Sequence, residues 1–200
     1  MRNIGRTPRC CGILLVMVLC LGAVSASAAT SGRAMLETAR VQGGLVVHVG
    51  CSDGKLTASL CPSQRYLVQG LERDPQQVEA GRKHIRSLGL YGRVSVRHWD
   101  SPRMPYGDNL VNLVVISSGQ RIAAGEIERV LAPQGNVLVQ GPLETRGTKL
   151  VAQPAGLEGW NLYRKPLPED IDQWTHYLHD AGNNAVAEDD RVGPPRQRAR

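Results

Sequence analysis

Apolar residues in this chain fall into short runs, separated by turns rich in glycine and proline, and the runs alternate with segments of helical period. Leu45–Val49 is an apolar run of strand length. The segment 53–60 follows it across a small-residue turn and stops before Pro62, which predicts a helix. Leu67–Glu72 reads as a second strand. Asp74-Pro75 then pairs a preferred N-cap residue with proline at the first helical position. Val78, Ile85 and Leu88 give that helix one apolar face, and Gly89 closes it. Arg93–Arg97 alternates as a third strand, and residues 98–109 read as a loop holding Pro102, Pro105 and Gly107. Leu110–Ile116 is a fourth strand, apolar apart from Asn112. Glu126–Leu131 predicts a short helix broken at Pro133-Gln134-Gly135, with Asn136–Gln140 as a fifth strand. Ahead of these lies an amphipathic lead-in helix around Met35–Val41, capped by Gly43-Gly44. Strands alternating with helices at this spacing imply βαβ units. The expected fold is α/β, a three-layer sandwich around a mainly parallel sheet. After Gly141 the pattern weakens, and Trp160–Arg164 is the one further strand expected.

Composition changes this picture mainly at the two ends. The net charge of +6 includes Arg2, Arg6 and Arg9 at one end and Arg191, Arg196, Arg198 and Arg200 at the other. Residues 29–190 are left near neutral, at −1, so the basic balance is not the footprint of a nucleic-acid-binding face. Arg2, Arg6 and Arg9 precede an apolar run from Cys11 to Ala23, followed by Ala26-Ser27-Ala28. That is the layout of a secretory signal peptide over residues 1–28, cleaved before Ala29, and it implies an exported chain with no membrane anchor after cleavage. An uncleaved anchor is the alternative, and a lipoprotein cleaved at Cys20 fits less well because Leu19 precedes it. Cys51 and Cys61 would remain in an oxidising compartment. A helix between them would separate them by about 15 Å, beyond the ~7 Å reach of a disulfide.

The candidate chemistry sits at the first turn, Gly50-Cys51-Ser52-Asp53-Gly54, which links an apolar strand to a helix. Such a turn either permits a tight reversal or lets a ligand approach the backbone, with N–H groups offered at the helix start. Glu72 ends the second strand, where a carboxylate is placed to accept from both hydroxyls of a ribose. The competing reading is a solvated acid at a strand end. The dinucleotide fingerprint G-x-G-x-x-G fails, since its third glycine would fall at Lys55. Asp74 is read as a helix cap. Asp100, beside Trp99, is either an adenine contact or an ordinary loop acid. Cys51 is assigned to packing. His176 and His179 lack a third ligand, so no metal site is expected.

In order, Val47–Gly54, Leu71-Glu72, Trp99-Asp100, Asn109–Val115 and Glu128–Gly135 resemble the blocks of a class I S-adenosylmethionine-dependent methyltransferase. The resemblance covers about residues 34–140. It implies a Rossmann-like sheet, S-adenosylmethionine as cofactor, and Gly50, Ser52, Gly54, Glu72 and Asp100 around the nucleoside. No acceptor and no catalytic base follow from it. The chain departs from the pattern at three places. His48 stands where an acid is usual near the end of the first strand, Ser52 replaces the middle glycine, and Asn112 replaces an acid of the fourth strand. The region after the fifth strand is too short for two further strands with their helices, so the C-terminal strands are expected to be incomplete.

A second stretch, Asp170–Ala187 followed by Val192–Arg196, resembles the entry to the quinoprotein-type (PQQ-like) β-propellers of secreted planctomycete-like proteins. The chain then divides into a signal segment 1–28, a methyltransferase-like domain 30–165, and a linker with a truncated propeller entry, 166–200. Two functions follow. One is a methyltransferase of unknown acceptor. The other is a degenerate nucleoside-binding or adaptor domain of an exported β-propeller protein, favoured by export away from the cytoplasmic cofactor.

Overall fold

The computed structural model describes residues 27–117 and 119–169. Residues 1–26 of the expected signal peptide (1–28), the His176–His179 pair and the stretch expected to enter a propeller lie outside the described residues. The elements run α1 (Ser27–Thr38), β1 (Gly44–Val49), α2 (Lys55–Ser59), β2 (Tyr66–Glu72), α3 (Pro75–Ser87), β3 (Val94–His98), β4 (Val111–Ile116), α4 (Ala124–Val130), β5 (Leu131–Gln140), β6 (Lys149–Ala152) and β7 (Trp160–Arg164).

They build one seven-stranded sheet in the order β3-β2-β1-β4-β5-β7-β6. β1 to β5 run parallel, and β7 is antiparallel to both β5 and β6. The parallel strands are buried on both faces, which explains their unbroken apolar runs. On one face Val46, Val68, Val94, Leu113 and Leu138 pack with Met35 and Leu36 of α1 and Val78 and Ile85 of α3. On the other, Val47, Val49, Val114 and Val137 pack with Ile127 and Val130 of α4 and with Trp99 and Met104 of the loop after β3. This is the three-layer sandwich that the βαβ spacing implies.

Strand order reverses between β1 and β4, because β2 and β3 lie on one side of β1 while β4 and β5 lie on the other. A crevice opens at such a switch point, past the carboxyl ends of the strands. Gly50 follows β1 at that edge and Ser117 follows β4, and the Ser117 N–H donates to the Val49 carbonyl across it at 3.1 Å.

Three expectations change. α2 is only five residues long, starting at Lys55 rather than Asp53. β5 begins at Leu131, directly after α4, and absorbs Pro133-Gln134-Gly135 as an irregularity between the Val111↔Leu131 and Leu113↔Asn136 pairs. Gln134 there takes φ 62°, and a bulge is where a strand tolerates proline. The third change is β6, which the sequence analysis missed. Both C-terminal strands form, in abbreviated shape: residues 141–148 join β5 to β6 and residues 153–159 join β6 to β7, neither with a helix. The C-terminal strands are therefore antiparallel and partial, as expected, four residues in β6 and five in β7.

Packing around the first turn is tight enough to test. Gly54 has φ +77°, and a Cβ there would meet the Cα of Gly81 on α3 at 3.0 Å. Gly89 has φ +66° with nothing within 4 Å. Gly89→Ala should cost the left-handed backbone term alone, about 1–2 kcal/mol. Gly54→Ala adds displacement of α3, for about 2–4 kcal/mol in all. Urea titration of the two variants checks this. Equal losses would remove the Gly54–Gly81 contact from the account.

Candidate functional site

The first turn carries left-handed residues at every second position: Gly50 (φ 74°), Ser52 (φ 44°) and Gly54 (φ 77°). The Gly50 N–H donates to the Leu71 carbonyl at 2.9 Å, and the Gly54 N–H to the Cys51 carbonyl at 2.9 Å. Ser52 turns its N–H to Glu72, whose Oε2 accepts it at 2.8 Å. Glu72 Oε1 accepts from the N–H groups of Arg73, at 2.8 Å, and Asp74, at 3.3 Å. Glu72 is only 7% exposed. It is therefore neither a solvated strand-end acid nor an acid open to both ribose hydroxyls. It clamps the turn to the end of β2. A carboxylate has about four lone-pair positions, three of which the backbone fills, leaving one on Oε2.

Asp74 caps α3, its Oδ1 accepting from Gln76 N–H at 2.8 Å, as the sequence implies. The start of α2 is less available than expected, since Asp53 Oδ1 accepts from Lys55 N–H and Oδ2 pairs with Lys55 Nζ at 2.6 Å. Ser52 replaces a glycine but is an exposed residue in a left-handed conformation. The narrowing of the approach comes instead from a residue the sequence did not flag. Gln120, in the segment after β4, lies over Gly50: a Cβ on Gly50 would meet its Cγ at 2.7 Å and its Nε2 at 3.0 Å.

His48 is 1% exposed. Its Nδ1 is 2.8 Å from Thr57 Oγ1 on α2, and its Nε2 is 2.9 Å from Ser117 Oγ. Burial holds it neutral and pulls its pKa down to about 4. The ring thus spans the switch point as an uncharged bridge. Asn112 lies at the opposite end of β4, where its Oδ1 accepts from Leu45 N–H at 2.9 Å. Its departure from an acid ties two strand starts together and has no bearing on the crevice.

β3 delivers Trp99 and Asp100 to the same edge. Glu72 and His98 are register partners, and Trp99 N–H donates to the Glu72 carbonyl at 2.9 Å. Trp99 is buried, its Nε1 donates to Arg103 O at 3.0 Å, and the Arg73 guanidinium lies 5.4 Å from its ring centroid. Asp100 is exposed, one residue beyond. The loop that follows is held by Arg129, which bonds both oxygens of Glu126, the Tyr106 and Met104 carbonyls, and Asp108 Oδ1 at 2.5 Å. The structure therefore joins Gly50, Ser52, Gly54 and Glu72 into one bonded unit, with Asp100 on the same edge. Sequence reasoning missed Thr57, Ser117 and Gln120, for none of which a local motif exists. Cys51 and Cys61 are both buried and free. Burial and the Glu72 carboxylate push the Cys51 thiol up to about 12, which fits packing and not reactivity.

Residues 46–139 match the family described as a methyltransferase domain. The match starts inside β1 and ends inside β5, so it contains every residue of the turn, Glu72, Asp100 and Ser117. Residues 46–139 carry the parallel, Rossmann-like part of the sheet, which is the methyltransferase-like fold. Among curated relatives, methyltransferase GfsG of Streptomyces halstedii is 29% identical over 68% of this chain and 51% of its own length. A demethylmenaquinone methyltransferase of Lactobacillus johnsonii is 29% identical over 68% of this chain and 60% of its own. The chain spans about half the length of the curated relatives it matches. Among solved structures, a candidate S-adenosyl-L-methionine-dependent methyltransferase of Methanococcus maripaludis superposes with a TM-score of 0.52 at 20% identity, over 56% of this chain and 54% of that one. The [4+2]-cyclase SpnF superposes at 0.50 and 24% identity, over 64% and 47%. One neighbour bears the name of a methyltransferase and the other of a cyclase. The methyltransferase-like fold therefore does not by itself fix the reaction, which has to be argued from the site.

Proposed function

We propose that the methyltransferase-like domain binds S-adenosylmethionine across the carboxyl ends of β1 to β4 and that its reaction is methyl transfer. The observation that carries this reading is the Ser52–Glu72 clamp. It fixes a bare turn against a buried carboxylate and leaves one acceptor position, on Oε2, for a ribose hydroxyl. The family match and the names of the relatives point the same way. When bound, the cofactor supplies a methyl group on a sulfonium sulfur, open to direct displacement by an acceptor. The chain's part is then positioning. Glu72 orders the turn, Gly50 keeps a side chain out of the approach, Gly54 lets the turn close against Gly81 of α3, and the Trp99 anchor sets Asp100 at the same edge.

Calorimetric titration with S-adenosylmethionine and S-adenosylhomocysteine tests the reading, and absence of binding by both at millimolar concentration would sink it. Gln120 gives a second test of the same pocket. Its side chain occupies the space over Gly50 that a ligand nearing the backbone must enter. Gln120→Ala should therefore raise affinity by about two- to tenfold, the equivalent of about 0.4–1.4 kcal/mol. A weaker complex in the variant would instead make Gln120 a ligand contact.

A further inference from the structure

We propose that the chain's own segment 170–187 docks on a bare face of the sheet, over Leu67 of β2, and supplies a cover that the connection from β3 to β4 lacks. The proposal does not depend on the S-adenosylmethionine reading. A parallel strand flanked on both sides is ordinarily buried on both faces. β2 lies between β1 and β3. Its Val68, packed with α3, is 0% exposed, but Leu67, which points to the opposite face, is 52% exposed. Next to it on that face, Ser95 of β3 is half-buried and Arg97 is exposed. The cause lies in the connections. A crossover between parallel strands usually carries a helix that covers the sheet, and α3 does so on the first face. Residues 99–110, between β3 and β4, form no helix. From that loop Tyr106 reaches Gln69, donating to its Oε1 at 2.6 Å, and Leu67 stays uncovered.

Three observations point to the occupant. The first is the path of the chain after β7. Lys165 Nζ donates to the Glu128 carbonyl of α4 and to Asn109 Oδ1, both at 2.7 Å. α4 packs on the same face as Leu67, and Asn109 precedes Leu110, itself 52% exposed. The start of β4 is two strand spacings from the start of β2, about 10 Å. Residues 166–169 reach up to about 13 Å, so the segment begins within range of Leu67. The second is apolar spacing. Ile171, Trp174, Leu178, Ala181 and Ala185 recur at intervals of three and four, which would set them in one stripe of a helix. The third is charge. Residues 170–190 carry Asp170, Asp172, Asp180, Glu188, Asp189 and Asp190, and no Lys or Arg. The bare face is edged by Arg65 and Arg93, at the starts of β2 and β3, and by Arg97. All three are exposed, and no carboxylate among the described residues pairs with them. The docked segment sets its apolar stripe on Leu67 and its acids towards these arginines.

Chymotrypsin cleavage of the full chain at Trp174, Tyr177 and Leu178, read by mass spectrometry, tests the docking. Leu67→Glu should speed cleavage at those sites by about five- to tenfold, the factor that burying the exposed half of a leucine is worth. Arg97→Glu should act in the same direction. Leu88→Glu is the control. Leu88 is 51% exposed at the end of α3, which packs on the opposite face, so the rate should stay at the wild-type value. Both leucines are half exposed, so neither substitution places a charge in the core. Equal rates in wild type and Leu67→Glu, or equal acceleration by Leu67→Glu and Leu88→Glu, would overturn the proposal. So would wild-type protection that disappears on dilution, which would assign the face to a second copy of the chain.

Discussion

Lowering the pH from 7 to 4 should destabilise the chain by up to about 3 kcal/mol through His48 alone. An unfolded histidine takes up its proton near pH 6.5, whereas the folded ring, buried between β1 and α2, stays neutral until about 4. Between those values the unfolded state binds more protons, so stability rises with pH there and is lost as pH falls. The folded-state contribution is complete above pH 6.5. Each pKa unit is worth about 1.4 kcal/mol, and native domains hold only about 5–15 kcal/mol in total. The carboxylates act in a lower window. Arg129 holds the Glu126 carboxyl below its usual range, and at Asp53 and Glu128 burial opposes the shift but hydrogen bonds outweigh it. Their contributions begin to fall only near pH 4.5. Urea unfolding of wild type and His48→Gln at pH 7, 6 and 5 isolates the histidine. The variant should lose stability at pH 7, where the ring's two hydrogen bonds are missing, but should show a flatter slope. An unchanged slope in the variant would assign the loss to other groups.

The strands of the sheet were legible because their burial is on both faces. Val46, Val47 and Val49, or Leu113 to Ile116, leave no polar alternation to confuse the reading. α3 was legible from both ends, with Asp74-Pro75 opening it and Gly89 past its close. β6 was not. It is four residues on a sheet edge, with Leu150 and Val151 both half exposed, so it has no buried face to impose a period of two. The early start of β5 was hidden because Pro133-Gln134-Gly135 is a sound turn signal. The chain obeys it locally while Leu131 still pairs with Val111.

At the site, the sequence exposes what is local and conceals what is brought together. The glycine spacing and the acid at the end of β2 stand in the chain as written. His48 was visible as a departure, but its meaning depends on Thr57, nine residues on, and Ser117, sixty-nine on. No spacing rule links those three. The same holds for Gln120 over Gly50. The loop after β3 read as irregular, and its order comes from one arginine on α4, supported by Glu126 three residues earlier. That Glu-x-x-Arg pair was in the sequence. Its partners, the Met104 and Tyr106 carbonyls and Asp108, were not inferable.

Glu72→Ala should change both stability and binding, although a strand-end acid suggests binding alone. The carboxylate accepts from three backbone N–H groups, of Ser52, Arg73 and Asp74. Removing it leaves all three without that acceptor. A buried donor left unpaired costs about 1–3 kcal/mol, but Ser52, Arg73 and Asp74 are exposed residues that water can reach. The net loss should therefore be about 2–4 kcal/mol rather than three full penalties. Ser52 would lose the bond that holds its left-handed conformation, a backbone state that itself costs about 1–2 kcal/mol. The turn should then relax, and S-adenosylhomocysteine affinity should fall about ten- to a hundredfold from the lost charged contact. Glu72→Gln separates the two effects. Its amide keeps one oxygen for Arg73 and Asp74 but sets an NH2 against the Ser52 N–H, so most of the affinity should be lost with a smaller loss of stability. Denaturant titration and calorimetry on the same preparations read both quantities. A Glu72→Ala variant that unfolds at the wild-type urea midpoint would show that the clamp on Ser52 does not hold the turn in solution.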